Sequence, residues 1–199
     1  ASSSSVYGAT ENIPFRETDP ADQPLSLYAA TKRAGELMAH SYSNLYGMNC
    51  TGLRLFNVYG PWGRPDMAPT VFSQAILQDQ EIQVFGHGEI SRDFTYIDDV
   101  VESIVRILKP EAARAKPFAL LNVGHGAPVI VREFISHLEN LLGRTAKLRL
   151  LPLQKGELPV TFADGQELES QVGYHPPTPL HKGLTAFVDW FKSYYRSSL

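Results

Sequence analysis

The chain has 199 residues, 43% of them hydrophobic, and a net charge of −3 at pH 7. This length allows one sizeable domain or a domain with a smaller lobe, and the charge gives no reason to expect nucleic acid or an anionic membrane as a partner. No apolar run approaches the roughly 20 residues of a membrane-spanning helix. Cys50 is the single cysteine and cannot form an internal disulfide, which fits a reducing cytosol, so we expect a cytoplasmic protein.

The first residues, ASSSSVYG, have neither the basic start nor the apolar stretch of a signal peptide. Small residues followed by Val6, Tyr7 and Gly8 are typical of a buried strand that ends in a loop. We therefore expect the chain to begin in the middle of a domain. Residues 9–25 contain three prolines and several acids and are predicted to form a loop.

Helices and strands alternate after that loop. Ser26 is predicted to be the N-cap of a helix over 27–47, which ends at Gly47. Further helices are predicted over 69–79, 99–109, 131–143, 166–172 and 180–195, and Asp98 is predicted to cap the second of these. Strands are predicted over 50–60, 82–86, 91–97, 118–124 and 146–152. This alternation predicts an α/β fold around a mainly parallel sheet.

Tyr28 and Lys32 lie four residues apart at the start of the first helix and therefore share a face. A free tyrosine has a pKa of about 10 and is a poor base, but a nearby ammonium group favours the phenolate. Such a tyrosine can move a proton to or from a sugar hydroxyl. Ser3, Ser4 and Ser5 lie at a strand end, where ligands gather in open α/β sheets. Either feature alone is common in proteins without such a site, so the interpretation depends on their combination.

Four segments follow one another in the chain: SSSSVYG, SLYAATK, LRLFNVYGP and RDFTYIDDV. Together they resemble the extended short-chain dehydrogenase/reductase family, the nucleotide-sugar epimerases and dehydratases, over essentially the whole chain. The segments GPWGRPDMAP and ELMAHSYSNLYGMNCTGLR are most similar to UDP-glucuronate 4-epimerases. The resemblance implies the C-terminal half of a Rossmann-type parallel sheet in residues 1–66. Residues 67–199 would form mainly a small mixed α/β lobe that binds the UDP-sugar, with some segments returning to the sheet.

The resemblance also implies the catalytic residues. Tyr28 would be the acid/base, Ser3 would be the catalytic hydroxyl, and Lys32 would bind the nicotinamide ribose of NAD and favour the phenolate of Tyr28. The implied cofactor-binding residues are Tyr28, Lys32, Leu55 and Arg64. For Arg64, a loop salt bridge is an equally good interpretation.

The substrate-binding residues are implied in the same way. Arg92 would clamp the diphosphate, a role suited to a planar guanidinium, and Glu157 would hold the uridine ribose. The full implied set is Ser4, Ser5, Asn57, Val84, Phe85, Arg92 and Glu157. Val84 and Phe85 would line the uracil pocket, and Asn57 would lie near the sugar and the diphosphate.

The implied reaction is NAD-dependent epimerisation at C4 of a UDP-sugar, from UDP-glucuronate to UDP-galacturonate, through a transient 4-keto sugar. Asn57 stands where glucuronate epimerases often carry Thr, so a UDP-glucose-type 4-epimerase remains an alternative, and Glu157 stands where the family usually has Asp. A dehydratase or decarboxylase of the family is disfavoured, because related enzymes carry acids where this chain has Ser4 and Ser5.

A non-enzymatic alternative is a fragment that only binds a UDP-sugar. No Gly-rich phosphate turn precedes Tyr28, and GHGAPV at 124–129 lacks the third glycine of such a turn, so it is interpreted as a loop. We therefore expect that about a hundred residues carrying the main NAD-binding βαβ units precede this segment in the intact protein. This chain alone is expected to have low activity.

The resemblance further implies a homodimer that pairs through the helix at 27–47. Asp98 and Asp99 are interpreted as belonging to a helix N-terminus rather than to a catalytic site. His87, His125 and His175 lie in Gly/Pro loops without the spacing of metal ligands, so no metal site is expected. Trp62 and Trp190 are interpreted as packing residues.

Overall fold

The computed structural model describes residues 1–109 and 117–195. The strands are β1 (Ser2–Ser3), β2 (Cys50–Leu55), β3 (Asn57–Tyr59), β4 (Glu81–Val84), β5 (Ser91–Arg92), β6 (Phe94–Tyr96), β7 (Phe118–Val123), β8 (Val129–Ile130) and β9 (Lys147–Leu150). The α-helices are α1 (Leu27–Tyr46), α2 (Ala68–Leu77), α3 (Ile97–Ile107), α4 (Val131–Leu142), α5 (Gln166–Val172) and α6 (Leu180–Tyr194). This mixed α/β order confirms the predicted fold class.

The central sheet has three parallel strands in the order β1-β2-β7. Ser2 pairs with Arg54 at one side of β2, and Leu55 pairs with Val123 at the other. Two further parallel pairs, β3-β6 and β4-β9, and one antiparallel pair, β5-β8, lie outside this sheet. Helix α1 packs on β1 and β2, while α5 packs on β7 and on α3. No helix of the described residues is both long enough and apolar enough to cross a membrane.

Helix termini follow the sequence signals where a side chain can reach the backbone. The hydroxyl of Ser26 accepts a hydrogen bond from the amide of Ala29 at 3.1 Å, and α1 ends where Gly47 adopts a left-handed conformation with φ of 65°. Helix α4 buries one face, and its buried side chains recur at helical spacing: Val131, Phe134, Ile135, Leu138 and Leu142. That face joins α2, α6, β4 and β6 in the largest hydrophobic core.

The strand predicted over 50–60 is interrupted at Phe56. The amide of Phe56 still donates to the carbonyl of Val123 beyond the central sheet, but the next amide, of Asn57, donates to the carbonyl of Asp93. The chain therefore changes partner here, from β7 to the β6 segment. The strand predicted over 91–97 is likewise interrupted, at Asp93, whose carbonyl accepts this bond from Asn57. This exchange brings the segments of Asn57 and Arg92 side by side.

Two local predictions are wrong. Val6 and Tyr7 do not end a strand: the strand is Ser2–Ser3, and Ser4–Tyr7 forms a 3-10 turn in which the N-cap hydroxyl of Ser3 accepts from the amide of Ser5. Asp98 does not cap α3, because the helix begins at Ile97 with Tyr96 as its N-cap residue.

Candidate functional site

A cavity of about 710 Å³ opens at the carboxyl ends of β1 and β2, beside the first turns of α1. This is the edge of a parallel sheet where ligands bind in open α/β folds. Six of the predicted site residues line this cavity: Ser3, Ser4, Tyr28, Lys32, Leu55 and Asn57. Arg64 is a seventh. The structure thus gathers residues from four separate segments around one space.

Tyr28 and Lys32 project from the first two turns of α1 towards this cavity. The Nζ atom of Lys32 lies 5.6 Å from the centroid of the Tyr28 ring, and it donates a hydrogen bond to the carbonyl of Ala1 at 3.1 Å. The Tyr28 side chain is 56% exposed, and its hydroxyl has no hydrogen-bond partner that would restrain it among the contacts of the described residues. The phenol is therefore accessible to a ligand, with an ammonium group beside it.

Ser3 reaches the same space from the end of β1. Its Oγ accepts two hydrogen bonds from Ser5, one from the amide at 3.2 Å and one from the hydroxyl at 3.0 Å. The 3-10 turn that follows is held below by Tyr7, whose hydroxyl donates to Oδ1 of Asn122 on β7 at 2.6 Å. Burial raises the pKa of Tyr7 to about 12, so this phenol stays a donor. The serine turn is thus anchored to the sheet.

A second cavity of about 210 Å³ continues from the first, because Ser3, Ser4 and Asn57 line both. It adds Ser5 and Arg92. Nη1 of Arg92 donates to the carbonyls of Ser91 at 3.0 Å and Pro159 at 3.5 Å, so three of its five N–H donors, on Nε and Nη2, have no partner among the described residues. Burial lowers the pKa of Arg92, and the carboxylate of Glu157 acts in the opposite direction. A cation set in such a cleft favours an anionic ligand.

Asp93 fixes the strand that carries Arg92. Its buried carboxylate accepts hydrogen bonds from the amides of His125, Gly126 and Ala163, at 2.9, 3.0 and 2.9 Å. Burial raises the pKa of Asp93, and the three amide donors oppose this effect. One side chain thereby joins three segments of the chain. Among the described residues, Oε2 of Glu157 is buried and has no hydrogen-bond partner.

Other nominated residues have different surroundings. Arg64 forms two hydrogen bonds with Asp66, at 3.0 and 2.9 Å, so the loop salt bridge exists at the cavity wall. This pairing raises the pKa of Arg64. Val84 is buried in the largest core, and its carbonyl accepts from the amide of Leu151. Val84, Phe85 and Glu157 are not among the residues that line the two cavities, although Gly156 is.

Sequence reasoning missed several residues of the cavity wall. Trp62, expected to pack, is 74% exposed, has a positive φ of 63°, and places its ring 5.6 Å from that of Trp190 at the cavity rim. Met67 and Thr70 lie in the loop and helix that follow. The Gly-Pro turn after β3 was the available signal, since a turn at this sheet edge places the next residues over the ligand space.

A buried ion pair beneath the site was also missed. Glu36 on α1 and Arg54 on β2 form two hydrogen bonds of 2.9 Å, and their side chains are 2% and 1% exposed. An arginine inside an apolar strand was the signal, because a buried charge needs a partner. Within the described ranges, no group of three or more His, Cys, Asp or Glu side chains could hold a metal ion.

Comparisons with known proteins place this geometry in a family. A family model described as "NAD dependent epimerase/dehydratase family" matches residues 1–124. Protein CapI of Staphylococcus aureus is 47% identical over 98% of this chain and 63% of its own length. A probable UDP-glucuronate 4-epimerase of Rhizobium meliloti is 47% identical over 98% of this chain and 62% of its own.

The fold is similar to solved structures as well. The crystal structure of UDP-glucuronic acid 4-epimerase from Bacillus cereus, in complex with UDP-glucuronic acid and NAD, has a TM-score of 0.90 and 34% identity. The match covers 98% of this chain and 60% of that one. The chain therefore spans less than two thirds of the length of the relatives it matches.

Proposed function

Because this chain belongs to the NAD-dependent epimerase/dehydratase family, we propose that the protein containing it inverts C4 of a UDP-sugar, converting UDP-glucuronate to UDP-galacturonate with NAD as cofactor. The observation that carries the proposal is the placement of Ser3, Tyr28 and Lys32 around one cavity at the carboxyl edge of a parallel sheet. We also propose a division into a cofactor part, 1–66, and a mainly substrate-binding part, 67–199.

The residues present fit the nicotinamide-ribose end of NAD. Ribose hydroxyls need hydrogen-bonding partners and a nicotinamide ring needs an apolar wall, and the cavity offers the ammonium of Lys32, the hydroxyl of Tyr28 and the side chain of Leu55. Arg64, with its charge beside the same wall, completes the proposed cofactor-binding set. When bound, NAD supplies the redox chemistry by accepting the hydrogen of C4 as hydride and returning it.

The chain's own residues move the proton. Tyr28, as phenolate, takes the proton of the sugar 4-hydroxyl, and the ammonium of Lys32 stabilises the negative charge on the phenol oxygen before transfer. Ser3 donates a hydrogen bond to the same sugar oxygen, which becomes the carbonyl of the 4-keto sugar. After the ketone has turned its other face to the cofactor, Tyr28 returns the proton. Because the proton and the hydride both return to the sugar, substrate and product have the same atoms and charge and differ only in configuration at C4.

The second cavity holds the nucleotide end in this proposal. Arg92, which lines this cavity and is partly buried, would bind the diphosphate, and Asn57 lies where the two cavities meet. Ser4 and Ser5 line the path between sugar and diphosphate. The unpartnered Oε2 of Glu157 suits a ribose hydroxyl. The remaining proposed substrate contacts are Val84 and Phe85, at the uracil.

A homodimer through α1 is part of the proposal. Leu37, Met38 and Leu45 are exposed apolar residues on this helix, and an apolar face of this kind favours association with another copy. The single cysteine and the NAD chemistry support a cytoplasmic location.

The experiment measures epimerisation of UDP-glucuronate by the protein at its natural length, with product identified by chromatography and NMR. Tyr28→Phe should lower kcat by about 10²–10⁴-fold, and Tyr46→Phe, at the exposed end of the same helix, should leave it unchanged. Near-normal turnover by Tyr28→Phe would overturn the assignment. If UDP-glucose were turned over in preference, the proposed substrate would be wrong. If carbon dioxide were released, the reaction would be a decarboxylation.

A further inference from the structure

The serine turn contains an arrangement that limits what the Ser3 hydroxyl can do. A serine hydroxyl has one proton to donate and two lone pairs that accept. Both hydrogen bonds that Ser3 Oγ accepts come from Ser5, from its amide at 3.2 Å and its hydroxyl at 3.0 Å. When the Ser5 hydroxyl donates in this direction, both lone pairs of Ser3 Oγ are engaged and its proton is left for a ligand at the wall of the larger cavity.

We propose that Ser5 is a positioning residue that holds the Ser3 hydroxyl as a hydrogen-bond donor to the substrate oxygen at C4. This inference rests on the proposed function. A sugar 4-hydroxyl can give its proton to the Tyr28 phenolate and still accept a bond from Ser3. The ketone oxygen of the 4-keto sugar has no proton and can only accept. A Ser3 fixed as donor therefore suits the oxygen throughout the reaction.

Ser5 itself is held by the turn. Its carbonyl accepts the amide of Gly8 at 3.3 Å, and the two residues that follow it, Val6 and Tyr7, are buried. Gly8 has a positive φ of 61°, and a Cβ at this position would collide with the carbonyl of Gln23. These backbone contacts fix the position of Ser5 beside Ser3.

Although Ser5 lines the second cavity, the geometry predicts that its hydroxyl affects turnover through Ser3. Ser5→Ala keeps the amide bond to Ser3 Oγ and removes the hydroxyl bond, so one lone pair becomes free and Ser3 can rotate its proton away from the substrate. We expect kcat to fall by about tenfold, the equivalent of one hydrogen bond, with KM little changed. Ser5→Thr, which keeps the hydroxyl, should restore most of kcat.

The test is a double-mutant cycle in the protein at its natural length, with UDP-glucuronate and NAD. Ser3→Ala, Ser5→Ala and the double variant are compared, and Ser170→Ala, an exposed serine on α5, is the control for loss of a hydroxyl. In the expected result the double variant is no slower than Ser3→Ala. Additive losses, or a rise in KM with kcat unchanged, would overturn the inference and make Ser5 a direct substrate contact.

The same measurements distinguish failure of the proposed function from failure of the Ser5 inference. If the wild-type protein does not epimerise UDP-glucuronate, or Ser3→Ala retains full activity, the proposed function is wrong. If Ser3→Ala is impaired and the Ser5 loss adds to it, only the inference is wrong. Thermal unfolding of each variant is measured in parallel, and where Ser5→Ala unfolds early, Ser5→Cys, a weaker donor of similar size, takes its place in the cycle.

Discussion

Removing the Glu36 carboxylate tests how much the buried pair of Glu36 and Arg54 contributes to the free energy of unfolding. Glu36 accepts two hydrogen bonds from Arg54, one from Ser2 and one, at 2.8 Å, from the partly exposed Arg33. In Glu36→Ala the Arg54 guanidinium stays buried, with the ring of Tyr7 at 4.6 Å and one long hydrogen bond of 3.4 Å to the carbonyl of Glu17. Neither contact carries a compensating negative charge.

The magnitude follows from this burial. Breaking a buried ion pair by removing one partner costs about 3–5 kcal/mol, because the other charge is left without compensation. We expect about 4 kcal/mol for Glu36→Ala, in the middle of the range, since the Tyr7 ring keeps a cation–π contact with the guanidinium. The control is Glu102→Ala, which breaks the pair of Glu102 with Arg106, half-exposed at 42% and 34%. That loss should be about 0.5 kcal/mol or less.

Urea unfolding measures both variants. With a slope of about 2–3 kcal/mol/M, the Glu36→Ala midpoint should fall by roughly 1.3–2 M, and the Glu102→Ala midpoint by about 0.2 M. Replacing the pair together, by Glu36→Leu with Arg54→Met, should recover most of the loss, because no buried charge remains. A loss below about 1 kcal/mol for Glu36→Ala, or a double variant that costs the sum of the single ones, would refute the reasoning.

Three other outcomes are expected. Burial alone raises the pKa of Glu36, but the hydrogen bonds from Arg54 lower it below its ordinary value of 4.5. The ionised Glu36 therefore stabilises the folded protein above that value, and this contribution is lost as the pH falls through the folded pKa. Wild-type stability should thus fall more steeply than that of Glu36→Gln below pH 4.5. Gly35→Ala, with open space around its Cβ on α1, should raise the free energy of unfolding by about 0.5–1 kcal/mol, whereas Gly8→Ala, at positive φ against a backbone carbonyl, should lower it, as thermal unfolding will show. Asp93→Ala leaves three amides without their acceptor and should cost roughly 3 kcal/mol or more in urea unfolding, together with weaker substrate binding measured by calorimetry.

The helices were predictable where a local rule determines them. Ser26 and Gly47 bound α1 because the cap hydroxyl reaches an amide three residues on and only glycine adopts the left-handed conformation readily. Tyr28 and Lys32 share a cavity because their spacing is a property of any helix. The role of each residue remains a prediction.

The remaining features depend on contacts that no local pattern encodes. Ser3 accepts from the backbone amide two residues on, so the chain turns where small residues followed by Val6 and Tyr7 predicted a strand end. Asp99 lies in the first turn of α3, as predicted, but no local pattern indicated that its carboxylate accepts from Tyr174 and Thr178, 75 and 79 residues away. Phe56 ends a strand because β7 ends beside it. Such partners become apparent only when the whole chain is folded.

The parallel pairing of β1, β2 and β7 has a kinetic consequence. Parallel neighbours are joined by long crossovers, and the Tyr7 hydroxyl that anchors the serine turn reaches Asn122 across 115 residues of chain. Contacts of such separation form only after a large loop has closed, so folding is slow and the turn that carries Ser3 gains its shape late. Until then the apolar segments of β2 and β7 remain open to neighbouring molecules, and refolding yield should depend strongly on protein concentration.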